Sequence, residues 1–330
     1  MTRSAVNQSV QIGKETTFGT SVPADQKLVN IGIRLGVEAS SEPNVPLGYR
    51  SPTGMILTDE MASGEADGTH SYSEIHYFLN ALFGPATVTA GTPVGTQKHV
   101  WRPATYGSDP APVTYTIEQG DAAGAMKATG MFATGIGYEM VAGEISKFTA
   151  ELVGNPVTLG ATLTATPTSR PNVPVLPGDT CVFANDTFAT IGTTKLDSAT
   201  GELFSLKYEH KSRKRSDRTI NCDPAAPRAM VDLAADVSME LILAANSYGQ
   251  SLMNKFRDGS TFYLAVVSTS KQSIGATNAK YKLTHHLAVQ IADPSFGEEG
   301  DKWAATYNLV PVHDTAFGGA EMFELVTDVS

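Results

Sequence analysis

Residues 147–157, KFTAELVGNPV, and residues 302–312, KWAATYNLVPV, are one half-buried strand written twice, 155 positions apart. In the first copy Phe148, Ala150 and Leu152 alternate with Lys147, Thr149 and Glu151. That is the period-two pattern of a strand with one apolar and one polar face. The match runs without a gap from 126–157 to 281–312. Lys127/Lys282, Thr129/Thr284, Ala133/Ala288, Ile136/Ile291, Glu144/Glu299, Lys147/Lys302, Ala150/Ala305, Pro156/Pro311 and Val157/Val312 are identical. A second block repeats at an offset of 175, residues 29–84 against 204–259, with Ser63/Ser238, Glu65/Glu240 and Gly84/Gly259 among its identities. A chain that repeats blocks of this size is expected to fold as two copies of one unit.

Each copy reads as a strand, a long loop, a strand, a short helix, further strands and two long alternating strands. The first helix lies in SYSEIHYFLNALFG, with Ser71 as N-cap, Glu74 closing a capping box, an apolar stripe at Ile75, Phe78, Leu79 and Leu82, and Gly84 as the stop. In the second copy Asn246 and Gly259 take the cap and stop positions, and Leu252, Met253 and Phe256 supply the stripe. The Thr- and Pro-rich stretch after residue 157 would spoil interior strands and reads as a connector. The expected layout is an N-terminal arm at 1–27, a first unit at 28–157, a connector with outer strands at 158–200 and a second unit at 201–330. The arm and the insertion at 85–112 lack a repeat partner and are expected to reach neighbouring subunits.

A chain of 330 residues, 41% apolar and 18% charged, can bury an ordinary core. Its 30 glycines and 18 prolines suit short strands joined by turns. The net charge of −10 argues against a surface built to grip nucleic acid. The one dense basic run, HKSRKRSDR at 210–218, carries no interleaved aromatic residue and reads as a solvated or partner-contacting loop. No apolar stretch marks a signal peptide or a membrane span. Cys181 and Cys222 stand far apart without ligand spacing and read as reduced thiols. No phosphate loop, dinucleotide fingerprint, nucleophile elbow or zinc-helix motif occurs. Adjacent His285 and His286 point to opposite faces of a strand and cannot share a metal; His285 reads as a core residue. No reaction, cofactor or metal is expected.

The opening VQIGKETTFGTSVPADQKL, with Gly13, Lys14, Glu15, Thr16, Thr17, Gly19 and Thr20, resembles the start of major tail tube proteins of long-tailed bacteriophages. The stretch ASGEADGTHSYSEIHYFLNALFG at 62–84 is similar to that family's strand and helix, and VHDTAFGGAEMFELVTDVS to its closing strand. The resemblance implies mainly-β, antiparallel sandwich or barrel-type units, each with one short helix, that close into a shared β-barrel on oligomerisation. Two tandem units per chain imply trimeric, pseudo-sixfold rings; one lining unit implies hexamers. Stacked rings would form a tube in the virion tail around a tape measure protein, joined by tail terminator and tail-tip proteins, with viral DNA passing through unbound. The protein would be made in the host cytoplasm. Polar residues expected to face the lumen are Arg34, Glu65, Asp67, Lys127, Lys147, Glu151, Glu209, Asp236, Glu240, Lys282 and Lys302, giving a neutral to negative bore. The alternatives are a tail-tip or adaptor ring of the same fold, a secreted carbohydrate-binding β-sandwich, and a hydrolase using scattered carboxylates.

Overall fold

A computed structural model describes residues 8–91, 93–103, 110–197, 202–211, 214–217, 229–299 and 301–328. The described chain is mainly β, with two α-helices. Its first half holds β1 (Ser9–Lys14), β2 (Gln26–Leu28), β3 (Ile31–Asn44), β4 (Gly54–Thr69), α1 (Ile75–Phe83), β5 (Thr87–Ala90), β6 (Gln97–Trp101), β7 (Tyr115–Asp121), β8 (Gly124–Val141), β9 (Lys147–Gly154), β10 (Thr158–Ala161) and β11 (Thr168–Ser169). The second half holds β12 (Thr180–Asn185), β13 (Leu203–Lys211), β14 (Lys214–Asp217), β15 (Ala229–Asp232), β16 (Asp236–Ala244), α2 (Ser247–Asp258), β17 (Phe262–Ser273), β18 (Lys280–Glu299), β19 (Lys302–Pro311) and β20 (Glu321–Thr327).

Eight strands pair in one antiparallel run, β3–β4–β9–β8–β13–β16–β19–β18. The order within each half of this run is the same: first strand, second strand, then the long hairpin entered from its return strand. The halves join where β8 pairs with β13, Tyr138 opposite Tyr208. The long strands β8 and β18 then leave this wall and enter a second layer. There β8 meets β7 and β10, and β18 meets β17 and β20. Apolar side chains from both layers and from α1 form one continuous core, in which Ile12, Ile33, Phe78, Phe148, Leu241, Leu264, Tyr307 and Phe323 are all buried.

Several expectations are corrected here. Within the stretch expected as an arm, the described residues are tied into their own chain: β1 pairs with β2 and β7 inside the second layer. The second half begins before residue 201, because β12 pairs with β17 as β1 does with β7. The repeat carries no trace of this equivalence because the two short strands share pairing but no sequence. In the 85–112 insertion, β6 lies against β20 of the same chain, so these strands extend the second layer. Of the basic run, His210 and Lys211 end β13 and 214–217 form β14; residues 212, 213 and 218 lie outside the described residues. The gap-free alignment also slips at the hairpin tip. Lys147 stands opposite Glu139 across a turn at 142–146, whereas Lys302 stands opposite Glu299 across a shorter one.

The helix ends divide along the same line. Asn246 caps α2 as expected, its side chain accepting from the N–H groups of Tyr248 and Gly249, and Gly259 closes it in the left-handed region at φ 61°. The capping box at α1 does not form. Glu74 is itself the N-cap residue, and its carboxylate turns away to accept from the N–H groups of Val29, Asn30 and Ile31. That carboxylate holds the entry to β3, a tertiary role that no local spacing reveals.

Candidate functional site

The wall has one covered and one exposed face. Along β9, Phe148, Ala150 and Leu152 are buried while Lys147, Thr149 and Glu151 are exposed; along β16, Met239, Leu241 and Leu243 are buried while Asp236 and Ser238 are exposed. The exposed face gathers most of the expected polar residues. Arg34 stands opposite Glu65, which stands opposite Glu151. Asp67 lies opposite Thr149, and Gly137 opposite both Thr149 and Glu209. Arg34, Glu65, Asp67, Glu151, Glu209 and Lys211 rim a shallow depression of about 290 Å³. Its floor is low because β8 presents Gly135 and Gly137 there.

Charge on this face is paired along the strands and across them. Lys147, Glu139, Lys207 and Glu240 stand in consecutive register on β9, β8, β13 and β16, so opposite charges alternate across the strands, while the Lys147 ammonium itself bonds Glu144 at 3.3 Å. Arg34 reaches Asp67 at 3.2 Å. Lys211 and Lys207 bond Glu209 at 2.9 and 3.1 Å. The Lys211 hydrogen bond, aided by that of Lys207, holds the Glu209 carboxyl below the usual range despite partial burial. Asp236 lies opposite Lys211. Glu65 and Glu151 stand as adjacent carboxylates, so carboxylates outnumber cations among the described side chains of this strip.

Three expected residues stand apart. Lys302 sits at the end of the wall, held by Glu202 at 2.6 Å and lying over the Phe204 ring. Lys127 and Lys282 belong to the second layer. Lys127 is opposite Glu118 and Thr158 and bonds the buried Glu118 carboxylate at 3.1 Å; Lys282 is opposite Thr269 and Val326. The long strands cross between layers, and a single period-two pattern cannot tell where. Thr284, two residues on from Lys282 along β18, is buried.

The GKETTFGT stretch has a structural explanation. Glu15 is buried, and its two oxygens accept from the Gly19 and Gly130 N–H groups at 2.9 and 2.8 Å and from the Thr114 and Thr116 hydroxyls, each at 2.9 Å. Gly19 turns back toward that carboxylate at φ 72°, a conformation that favours glycine. At Gly13 an added Cβ would stand 2.5 Å from the Pro23 carbonyl, so the strand and the returning segment pass too closely for a side chain. The motif therefore writes a loop clamped onto β7 and β8.

A second polar cluster sits deep in the core. The Glu321 carboxylate accepts from the Tyr208 hydroxyl at 2.6 Å and from His210 Nδ1 at 2.9 Å, and lies 3.6 Å from His285 Nε2. His285 Nδ1 shares a 2.8 Å hydrogen bond with the Tyr138 hydroxyl, and its ring stacks on Phe323. Burial alone would raise the Glu321 carboxyl; the charge and hydrogen bond of His210, with a contribution from the nearby His285, outweigh it and hold it below the usual range. Burial drives His285 down. His70 is pushed down to about 3 by burial with a contribution from His285, and His286 to about 4, chiefly by burial. These groups join β20 to β13, β18 and β8. The sequence marked His285 as a core residue but gave no sign of its partner.

Among the described residues the exposed face is thus a shallow strip of alternating charge that spans both halves of the chain. A family model described as phage tail tube protein matches residues 5–304. The chain belongs to that family. The match covers the clamped N-terminal loop, the whole of β3 to β18 and the start of β19; the closing stretch at 312–330, where a resemblance was also read, lies beyond it. Among curated proteins nothing matches. Tail tube proteins are structural components of the virion tail that assemble with copies of themselves and with other tail proteins. Among the described residues no helix is long and apolar enough to cross a membrane.

Proposed function

We propose that this tail tube protein forms stacked rings whose joined walls line the DNA-conducting channel of a long-tailed phage, with the two halves of each chain acting as tandem tube units. The observation that carries the reading is the eight-strand antiparallel wall, covered on one face and polar on the other, with no strand paired, among the described residues, on the outer margins of β3 and of the second half of β18. A curved sheet with two open margins is an aggregation hazard as a monomer. It loses both margins when copies close it into a barrel. Three copies give three times eight strands, a wall wider than the barrels of about 16 to 18 strands that already hold an aqueous channel. The exposed face becomes the bore. Its paired charges and excess carboxylates offer phosphates little counterion exchange, so duplex DNA slides rather than sticks. Head-to-tail stacking leaves tube length open, which gives a tape measure protein its role and leaves the ends to terminator and tip proteins. Negative-stain microscopy of concentrated purified protein tests the reading. Long hollow tubes are expected; discrete rings would assign the chain to a tail-tip or adaptor position, and a persistent monomer would overturn both.

A further inference from the structure

We infer that the seam between neighbouring copies is an antiparallel ladder between β3 of one copy and the second half of β18 of the next, with Ile33 opposite Phe296. The inference rests on the tube reading above and deepens it by naming the strands and their register.

The chain contains its own template. The first half of β8 pairs with β7, and its second half pairs with β13, buried Ile136 opposite buried His210. The first half of β18 pairs with β17 in the same way. Its second half, from Asp293 onward, has β19 on one margin and, among the described residues, no paired strand on the other. The vacant place is the one that β13 fills on β8. The strand in the position of β13 in the first half of the wall is β3, whose margin away from β4 likewise carries no paired strand among the described residues. The polarities agree: strands alternate along the whole run, so β3 of a neighbour meets β18 antiparallel.

Side-chain faces restrict the register. Ile31, Ile33 and Leu35 point to the covered face of the wall. On β18 the covered-face row is Pro294 and Phe296, opposite buried Tyr307 and Ala305 of β19. These two rows must meet, because a one-residue slip would turn every apolar side chain into the bore.

Backbone donors then choose among the face-matched registers. The N–H groups of Ile31 and Leu35 point out of the open margin, and each is already taken, by the Glu74 carboxylate at 2.9 Å and by the Gln119 side-chain oxygen at 2.7 Å. By strand alternation Ile33 N–H points the same way. On β18, Pro294 has no N–H to give, the usual reason that proline sits on an edge. With Ile33 opposite Phe296, both can exchange backbone bonds. Leu35 then falls opposite Pro294, so the donor that is already held faces the residue that has none. Shifting two residues either way breaks this match.

Cross-linking reads the seam directly. In this register Arg34 lies opposite Ser295 on the bore face, in a close non-hydrogen-bonded pair whose spacing suits a disulfide. In a Cys181→Ser, Cys222→Ser background, Arg34→Cys with Ser295→Cys should cross-link neighbouring copies on mild oxidation of assembled tubes. Pairing Ser295→Cys with Gly32→Cys or Gly36→Cys should give at least about tenfold less, and with Val37→Cys, on the other face, none. Preferred cross-linking through Gly32 or Gly36 overturns the register. Tubes without cross-linking in any pair overturn the seam while leaving the tube reading intact. Hydrogen exchange of the unsubstituted protein gives a second measurement. Peptides covering 31–36 and 293–299 should exchange about tenfold or more slowly in tubes than in unassembled subunits, and unchanged exchange in tubes overturns the seam. Failure of the unsubstituted protein to form tubes at all instead overturns the reading on which the seam rests.

Discussion

Replacing Glu15 by alanine tests whether the GKETTFGT stretch is a structural clamp. The carboxylate holds four donors, two of them backbone N–H groups at Gly19 and Gly130. The Thr114 and Thr116 hydroxyls can rotate toward other acceptors. The two N–H groups cannot, and each stranded buried donor costs about 1–3 kcal/mol. Relief from burying the carboxylate offsets part of this, which leaves a net loss of about 3–4 kcal/mol. A chain of 330 residues unfolds with an entropy of about 0.7 kcal/mol/K, so the melting temperature should fall by about 5 °C. Scanning calorimetry on unassembled protein measures it. Glu15→Gln keeps one acceptor oxygen but turns an NH2 group toward donors, and should lose about half as much. A Glu15→Ala variant melting within about 1 °C of the parent would show that the clamp is dispensable and that the motif owes its form to something else.

Acid should loosen the core. His70 and His286 have folded values near 3 and 4 against an ordinary 6.5, so both are neutral in the fold. Their contribution is fully present above about pH 6.5 and is lost as pH falls toward the folded values; by pH 5 the loss is about 2 kcal/mol for each, read by urea unfolding at pH 7.5 and 5. The lowered Glu321 carboxyl adds a loss of the same sign below its ordinary 4.5; stability that is flat from pH 7.5 to 4 would contradict the buried cluster. Asn246→Ala should cost about 1 kcal/mol by uncapping α2, visible in the same unfolding assay. If the exposed face lines the proposed bore, Glu65→Lys with Glu151→Lys should tip it toward positive charge, so that tubes co-sediment with duplex DNA at low salt and release it as salt rises; parent tubes should retain little at either.

The strand pattern of the wall was legible because one face meets a core and the other meets solvent, as Phe148, Ala150 and Leu152 against Lys147, Thr149 and Glu151 show. The α2 cap and stop were legible because Asn246 and Gly259 act locally. Glu74 was misread for the converse reason: its partners at 29–31 are distant in sequence, and a capping box was the nearest local explanation. The placing of Lys127 and Lys282 failed where one strand serves two layers, because the alternation continues while the neighbours change. The buried carboxylates Glu15, Glu118 and Glu321 were invisible as such, since only tertiary donors distinguish them from surface acids. The closeness of β1 and β12 in role left no residue trace at all.

The passage of β8 through both layers has a mechanical consequence. Four other strands, β7, β10, β9 and β13, are bonded along its length. Sliding it past any one of them drags the other three out of alignment, so each subunit responds to shear as a single stiff plate. In the proposed tube, curvature imposed on a tail would therefore be absorbed as small rotations between plates, and the calibre of the duct would stay constant while the filament bends.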